Sequence, residues 1–180
     1  MVIRTACSSS LTALHDACMA IHSGECDSAV VGGVNMILNP NMTAAMSELG
    51  ILSPEGRCKS FDARADGFAR AEGCVVLHIK KLVDAIRDND PIRAVIRGSC
   101  INSDGRTMGL AQPNSESHAA LIRRSHTLAG LDVSQTAMIE CHGTGTSVGD
   151  PMETGAVADV FGHVGAYIGS VRDTANSSMK

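Results

Sequence analysis

A chain of 180 residues that is 44% hydrophobic and 19% charged has enough apolar mass for a packed domain and too little charge for a disordered one. Its net charge of -4, with no basic run interleaved with aromatics, offers no electrostatic case for binding nucleic acid or an anionic membrane. No apolar stretch reaches the length of a membrane span and no charged-then-apolar leader opens the chain, so a cytoplasmic location is expected.

With three Phe, one Tyr and no Trp, the core falls to Val, Ile, Leu, Ala and Met, and 18 glycines serve turns and close approaches. That vocabulary suits buried parallel strands alternating with helices. The seven cysteines (7, 18, 26, 58, 74, 100 and 141) are odd in number and form no C-x-x-C pair. Reduced thiols are therefore expected, with neither a disulfide framework nor a metal site.

In chain order, "MVIRTA" reads as a short strand, and Leu11, Leu14, Cys18 and Ile21 then recur at helical spacing until "SGE" at 23–25. "SAVVGGVNMI" (28–37) predicts a buried strand, and "NPNMTAAMSELGIL" (39–52) a short helix starting near Asn41 or Thr43 and stopping near Gly50. A polar, Gly-containing loop follows over 53–73. "CVVLHIKKL" (74–82) predicts a strand, "LVDAIRDND" (82–90) a helix, and "IRAVIRGSCINSDG" (92–105) a long strand running into a loop. Residues 114–131 predict a helix capped by Asn114 or Ser115 and ended by Gly130. "TAMIECHGTGT" (136–146) runs from strand into a Gly/Thr loop. In "DPMETGAVADVFG" (150–162) Asp150 reads as a cap, with Pro151 at the first helical position and Glu153 at the third. "AYIGSV" (166–171) predicts a last strand, before the polar, aperiodic stretch 172–180. Strands alternate with helices throughout, which predicts an α/β architecture, and no linker divides the chain.

Two places could carry chemistry. Cys7 stands between an apolar stretch and "SSSLTALH", the order that a nucleophile elbow requires. Small neighbours permit a sharp turn, and a helix N-terminus favours the thiolate. A packed core thiol is the plainer alternative. His142 ends a strand in a Gly/Thr loop, where it could act on a substrate carbonyl or simply be structural. The glycine-rich stretches fit neither a P-loop nor a G-x-G-x-x-G turn. "FDARADGFARAEG" reads on its own as a salt-bridged surface loop.

Four stretches taken together say more. "TACSSSL", "SFDARADGFARAEG", "NSDGRTMGLAQP" and "ECHGTGTSVGDPMETGAV" resemble, in order and at suitable spacing, the middle of a β-ketoacyl synthase. They are most similar to ketosynthase domains of type I polyketide synthases, particularly the iterative fungal kind. The resemblance implies part of a thiolase-like αβαβα layered fold, in which two similar halves pack together, with residues 1–171 as a partial ketosynthase domain. It implies Cys7 as the acyl-accepting nucleophile and His142 as the residue that polarises the thioester carbonyl of a malonyl-type extender as carbon dioxide leaves. Thr144 and Thr146 fall where the family contacts a phosphopantetheine arm. No cofactor of the chain's own is implied: substrates arrive as acyl and malonyl-type thioesters on the phosphopantetheine of an acyl carrier protein. The family is homodimeric.

The sequence also departs from the family pattern. Arg4 stands where the family usually carries Asp, a large first portion is not represented, and "YIGSV" leads into "RDTANSSMK" instead of a Lys-Pro-Asn-x-Gly-His segment with the second catalytic histidine. The expectation is an incomplete domain from a truncated or mis-spliced gene model or a pseudogene, poorly soluble and without condensation activity. The rival readings are a non-catalytic, ketosynthase-derived binding protein and a cysteine hydrolase using Cys7 and His142. The hydrolase lacks an identifiable orienting residue.

Overall fold

Helix ends show most directly how the sequence is obeyed. Helix α1 (Ser9–Ser23) stops at Gly24, whose φ of 82° lets its N–H turn back to the carbonyls of Ala20 and Ile21. Helix α4 (Ser115–Ala129) starts at Asn114, whose side chain accepts from the amides of Glu116 and Ser117, and stops at the left-handed Gly130. In this computed structural model, residues 1–107, 109 and 112–172 are described. Most of the polar stretch 172–180 and part of "TMGLAQP" thus lie outside the described residues.

The chain forms two compact units from interleaved segments. The first comprises residues 1–37 and 71–101. Strands β1 (Ser28–Asn35) and β2 (Gly73–Lys80) pair antiparallel from Ser28↔Lys80 to Asn35↔Gly73. Helix α1 lies on the face that carries Val31 and Gly33. The Ser10 β-carbon stands 3.0 Å from where a Gly33 β-carbon would be, so any larger residue would press the helix away. The short helix α3 (Leu82–Arg87) follows β2.

The second unit runs over Leu38–Arg70 and from Asn102 onward. It holds α2 (Asn41–Glu48), α4, β3 (Met138–Glu140), α5 (Gly149–Phe161) and β4 (Tyr167–Gly169). Strands β3 and β4 pair in parallel, with Ile139 opposite Ile168, and α5 makes the crossover that parallel pairing requires. The core of this unit gathers Ala119 of α4, Cys141, and Ala156, Val157, Val160 and Phe161 of α5, backed by Phe61, Ile122 and Ile139. His126 meets Phe161 edge-on, with ring centroids 5.6 Å apart.

Four expectations need correction. Residues 1–5 and 91–101 form no strand. Their β-branched content favours extended backbone, but a strand exists only with a partner for its N–H and C=O groups. Strand β1 is not buried as a run. Only Val31 is buried, while Val30 and Val34 on the opposite face are 71% and 70% exposed, because α1 covers one face of a two-stranded pair. The longer pairing is antiparallel, which the composition argument for parallel strands did not foresee. Asp150 is not the cap of α5. The helix begins at Gly149, and the Asp150 carboxylate is turned into the neighbouring loops.

Candidate active site

Cys7 lies exposed in a single 3-10 turn, Ala6–Ser8, that runs directly into α1. Ala6 has φ of 57°, a left-handed conformation that costs a residue with a β-carbon about 1–2 kcal/mol. Hydroxyls hold it there. Ser9 Oγ donates to the Ala6 carbonyl at 2.6 Å and accepts from the Thr5 amide at 2.9 Å. Ser8 Oγ lies 2.8 Å from both the carbonyl and the hydroxyl of Thr5. "SSS" is therefore more than a run of small residues, because two of its hydroxyls fasten the turn. A sulfur at this end of a helix sits where the aligned peptide dipoles favour a thiolate. Cys7 belongs to the first unit.

His142, Thr144 and Thr146 belong to the second, in the loop between β3 and α5. Burial alternates along this loop: Cys141, Gly143 and Gly145 are buried, His142 is exposed, and the two threonines are half-buried. The three residues singled out from the sequence thus share its open side. Gly143 (φ 48°) and Gly145 (φ 73°) are required by contact as well as by backbone angle. Their β-carbons would stand 2.5 Å from Ser170 Cβ and 2.7 Å from the Lys59 amide nitrogen. Thr144 and Thr146 place their hydroxyls 3.0 Å apart, and Thr146 Oγ1 also accepts from the Gly149 amide at 3.2 Å. The latter hydroxyl has a structural task at the start of α5 that the sequence did not announce.

Side chains from elsewhere in the unit hold the loop. The Glu153 carboxylate accepts from the amides of His142 at 2.6 Å and Gly143 at 2.8 Å. Asp150 accepts from the Gly145 amide at 3.0 Å and from the Phe61 amide at 2.8 Å. Ser60 Oγ donates to the Gly143 carbonyl and Ser170 Oγ to that of His142. Sequence reasoning missed these four residues. "GDPMETG" was legible as a helix start, but the direction of its carboxylates was not.

The 53–73 loop does carry the expected ion pairs, Lys59–Asp66 at 2.6 Å and Arg64–Asp62 at 2.8 Å. The Arg64 guanidinium and amide hold the Asp62 carboxyl well below the usual range. Yet Ser53, Cys58 and Ser60 are buried, and the Gly67 amide donates to the Gly145 carbonyl at 2.9 Å. The loop is the floor under the His142 segment as well as a charged surface. Where the two meet, a cleft of about 430 Å³ opens between Phe61, Ala63, Thr146, Pro151 and Thr154.

Cys141, next to His142, is chemically quiet. Burial pushes its thiol up to about 11, and the nearby carboxylates of Glu153, Glu140 and Asp150 act in the same direction. Among the described residues no cluster of His, Cys, Asp or Glu is placed to hold a metal ion.

Sequence models of the β-ketoacyl synthase N-terminal and C-terminal domains match residues 1–85 and 93–175. This chain belongs to the β-ketoacyl synthase family. The chain is 59% identical, over 99% of its length, to a highly reducing polyketide synthase of Penicillium soppii, and 56% identical over 96% to one of Aspergillus fumigatus. It spans only 7% of each of those relatives. Among solved structures, the ketosynthase from module 6 of the Bacillus subtilis 168 bacillaene synthase superposes with a TM-score of 0.91 at 43% identity. That match covers 94% of this chain and 32% of the other. The oxazolomycin ketosynthase domain OzmH KS7 of Streptomyces albus JA3453 gives 0.88 and 40%, over 92% and 30%. Over the matched residues the chain accordingly has the α/β fold of part of these thiolase-like domains, and its described helices include none long and apolar enough to cross a membrane.

Proposed function

We propose that the chain carries the acyl-accepting and extender-activating part of a polyketide ketosynthase. The observation that bears most weight is the conjunction of an exposed cysteine at a fastened helix start with a histidine on the open side of a clamped loop, within a member of this family. In this reading the Cys7 thiolate attacks a carrier-bound acyl thioester. A new C–S bond forms and the carrier's phosphopantetheine thiol leaves. A malonyl-type thioester then loses carbon dioxide, and the electron pair of the broken C–C bond forms an enolate. An N–H of His142 donates to the enolate oxygen, where charge develops. The enolate carbon attacks the acyl carbonyl, the new C–C bond forms, and Cys7 thiolate is expelled. The product is a β-ketoacyl thioester on the carrier.

Thr144, Thr146 and the adjoining cleft, apolar at Phe61, Ala63 and Pro151 with hydroxyls at Thr146 and Thr154, suit a phosphopantetheine arm, whose chain is aliphatic between amides. The partners in this reading are an acyl carrier protein and, as in the family, a second ketosynthase copy. Incubation with an acyl N-acetylcysteamine thioester, read by intact mass, tests the nucleophile. One acyl group should add to the chain and none to Cys7→Ala. Acylation that persists in Cys7→Ala would remove Cys7 from this role.

A further inference from the structure

Three side chains from three separate segments take up all four backbone polar groups of His142 and Gly143. Glu153 of α5 accepts from both amides. Ser170, one residue past β4, donates to the His142 carbonyl at 3.3 Å. Ser60, from the 53–73 loop, donates to the Gly143 carbonyl. The serines are 8% and 5% exposed, so their hydroxyls face protein and not solvent. Ser170 also lies flush on Gly143, its β-carbon occupying the space that a side chain there would need.

The His142 ring itself is exposed, and its direction follows from the backbone that carries it. That backbone is intrinsically loose. Glycine visits left-handed and right-handed conformations almost equally, so the φ of 48° at Gly143 is not selected by sterics. Hydrogen bonds must select it. Ser170 and Glu153 grip the two ends of the His142–Gly143 peptide plane, and Ser60 grips the carbonyl of the next plane. We infer that Ser60 and Ser170 are positioning residues for His142. Their hydroxyls fix the two peptide planes after it and so aim one imidazole nitrogen toward the open side of the loop. This rests on the reading of His142 as the group that acts on the extender carbonyl.

The test uses the 180-residue chain and its Ser60→Ala, Ser170→Ala, Ser60→Thr and His142→Gln variants. Imidazole ¹H–¹³C signals of the seven histidines are followed against pH, with His142→Gln assigning the relevant one. Each alanine variant should move or split the His142 signal, while the other six signals stay in place. Ser60→Thr, which keeps the hydroxyl, should return the signal toward that of the parent. Decarboxylation of malonyl-N-acetylcysteamine should fall about 10- to 100-fold in kcat in the alanine variants, with KM unchanged, the size expected of a slightly misaimed group. An unchanged His142 signal in both alanine variants would overturn the inference, as would a uniform shift of all seven. A moved His142 signal beside decarboxylation that is indifferent to His142→Gln would support the positioning and overturn the role assigned to His142.

Discussion

At the scale of single residues, the fold separates exposed thiols from buried ones. Cys7 and Cys74 are exposed, whereas Cys58 and Cys141 are buried, and Cys141 is further held protonated, with its thiol raised to about 11. Iodoacetamide at mildly alkaline pH, followed by peptide mapping, should therefore label Cys7 first and leave Cys141 until the chain is unfolded. Equal rates at Cys7 and Cys74 would mean that the helix start does nothing for the sulfur. Glu153 offers a second test. Glutamine there keeps one acceptor oxygen but turns an NH₂ toward an amide that also donates. Loss of that charge-assisted bond should cost about 1.5–3 kcal/mol, measurable as a lower urea midpoint at unchanged slope.

Elements respond to packing and to charge in different ways. Phe161, 2% exposed at the end of α5, closes the core against His126 and α4. Phe161→Ala should destabilise the second unit by about 3–5 kcal/mol, and a loss below about 1 kcal/mol would show that the α4–α5 contact is not its core. In the first unit, Asp88 follows α3 and is held at about 2, first by Arg87 and then by Lys80. A carboxyl with a depressed folded-state pKa stabilises at pH values above its unfolded value and loses that contribution as pH falls through the folded one. The stability difference between the parent and Asp88→Asn should thus be full above about pH 4 and vanish as pH falls through about 2. A difference that persists undiminished at the acid end would sink the ion-pair explanation.

For the whole molecule, the consequential feature is apolar surface left open. Val30, Val34 and Val76 share the face of the β1–β2 pair opposite α1, and they are 71%, 70% and 60% exposed. Contiguous apolar area of this kind drives association. The 180-residue chain should sediment as concentration-dependent assemblies at micromolar levels, and a Val30→Thr/Val34→Thr pair should shift it toward the monomer. A parent that sediments as a monomer at all concentrations would contradict this.

Local physics was legible in the sequence wherever one segment suffices to satisfy it. The caps Asn114, Gly24 and Gly130, the helices they bound, and the β1 and β2 segments follow from hydrogen bonds and periodicities contained within a few residues. The four stretches that resemble the family also placed Cys7 and His142 together on one hypothesis, and the family assignment holds. The sequence could not tell that 92–101 would find no strand partner, because pairing depends on what lies beside a segment in space. Nor could it tell that the carboxylates of Asp150 and Glu153 and the hydroxyls of Ser60 and Ser170 would turn toward one loop. Those four residues stand between 3 and 110 positions apart along the chain, yet each meets the backbone of 61 or 142–145. Chain order determined which residues could carry the chemistry. Tertiary packing alone decided how they are held, since buried backbone groups of a glycine-rich loop take their partners from whatever the fold brings within hydrogen-bonding distance.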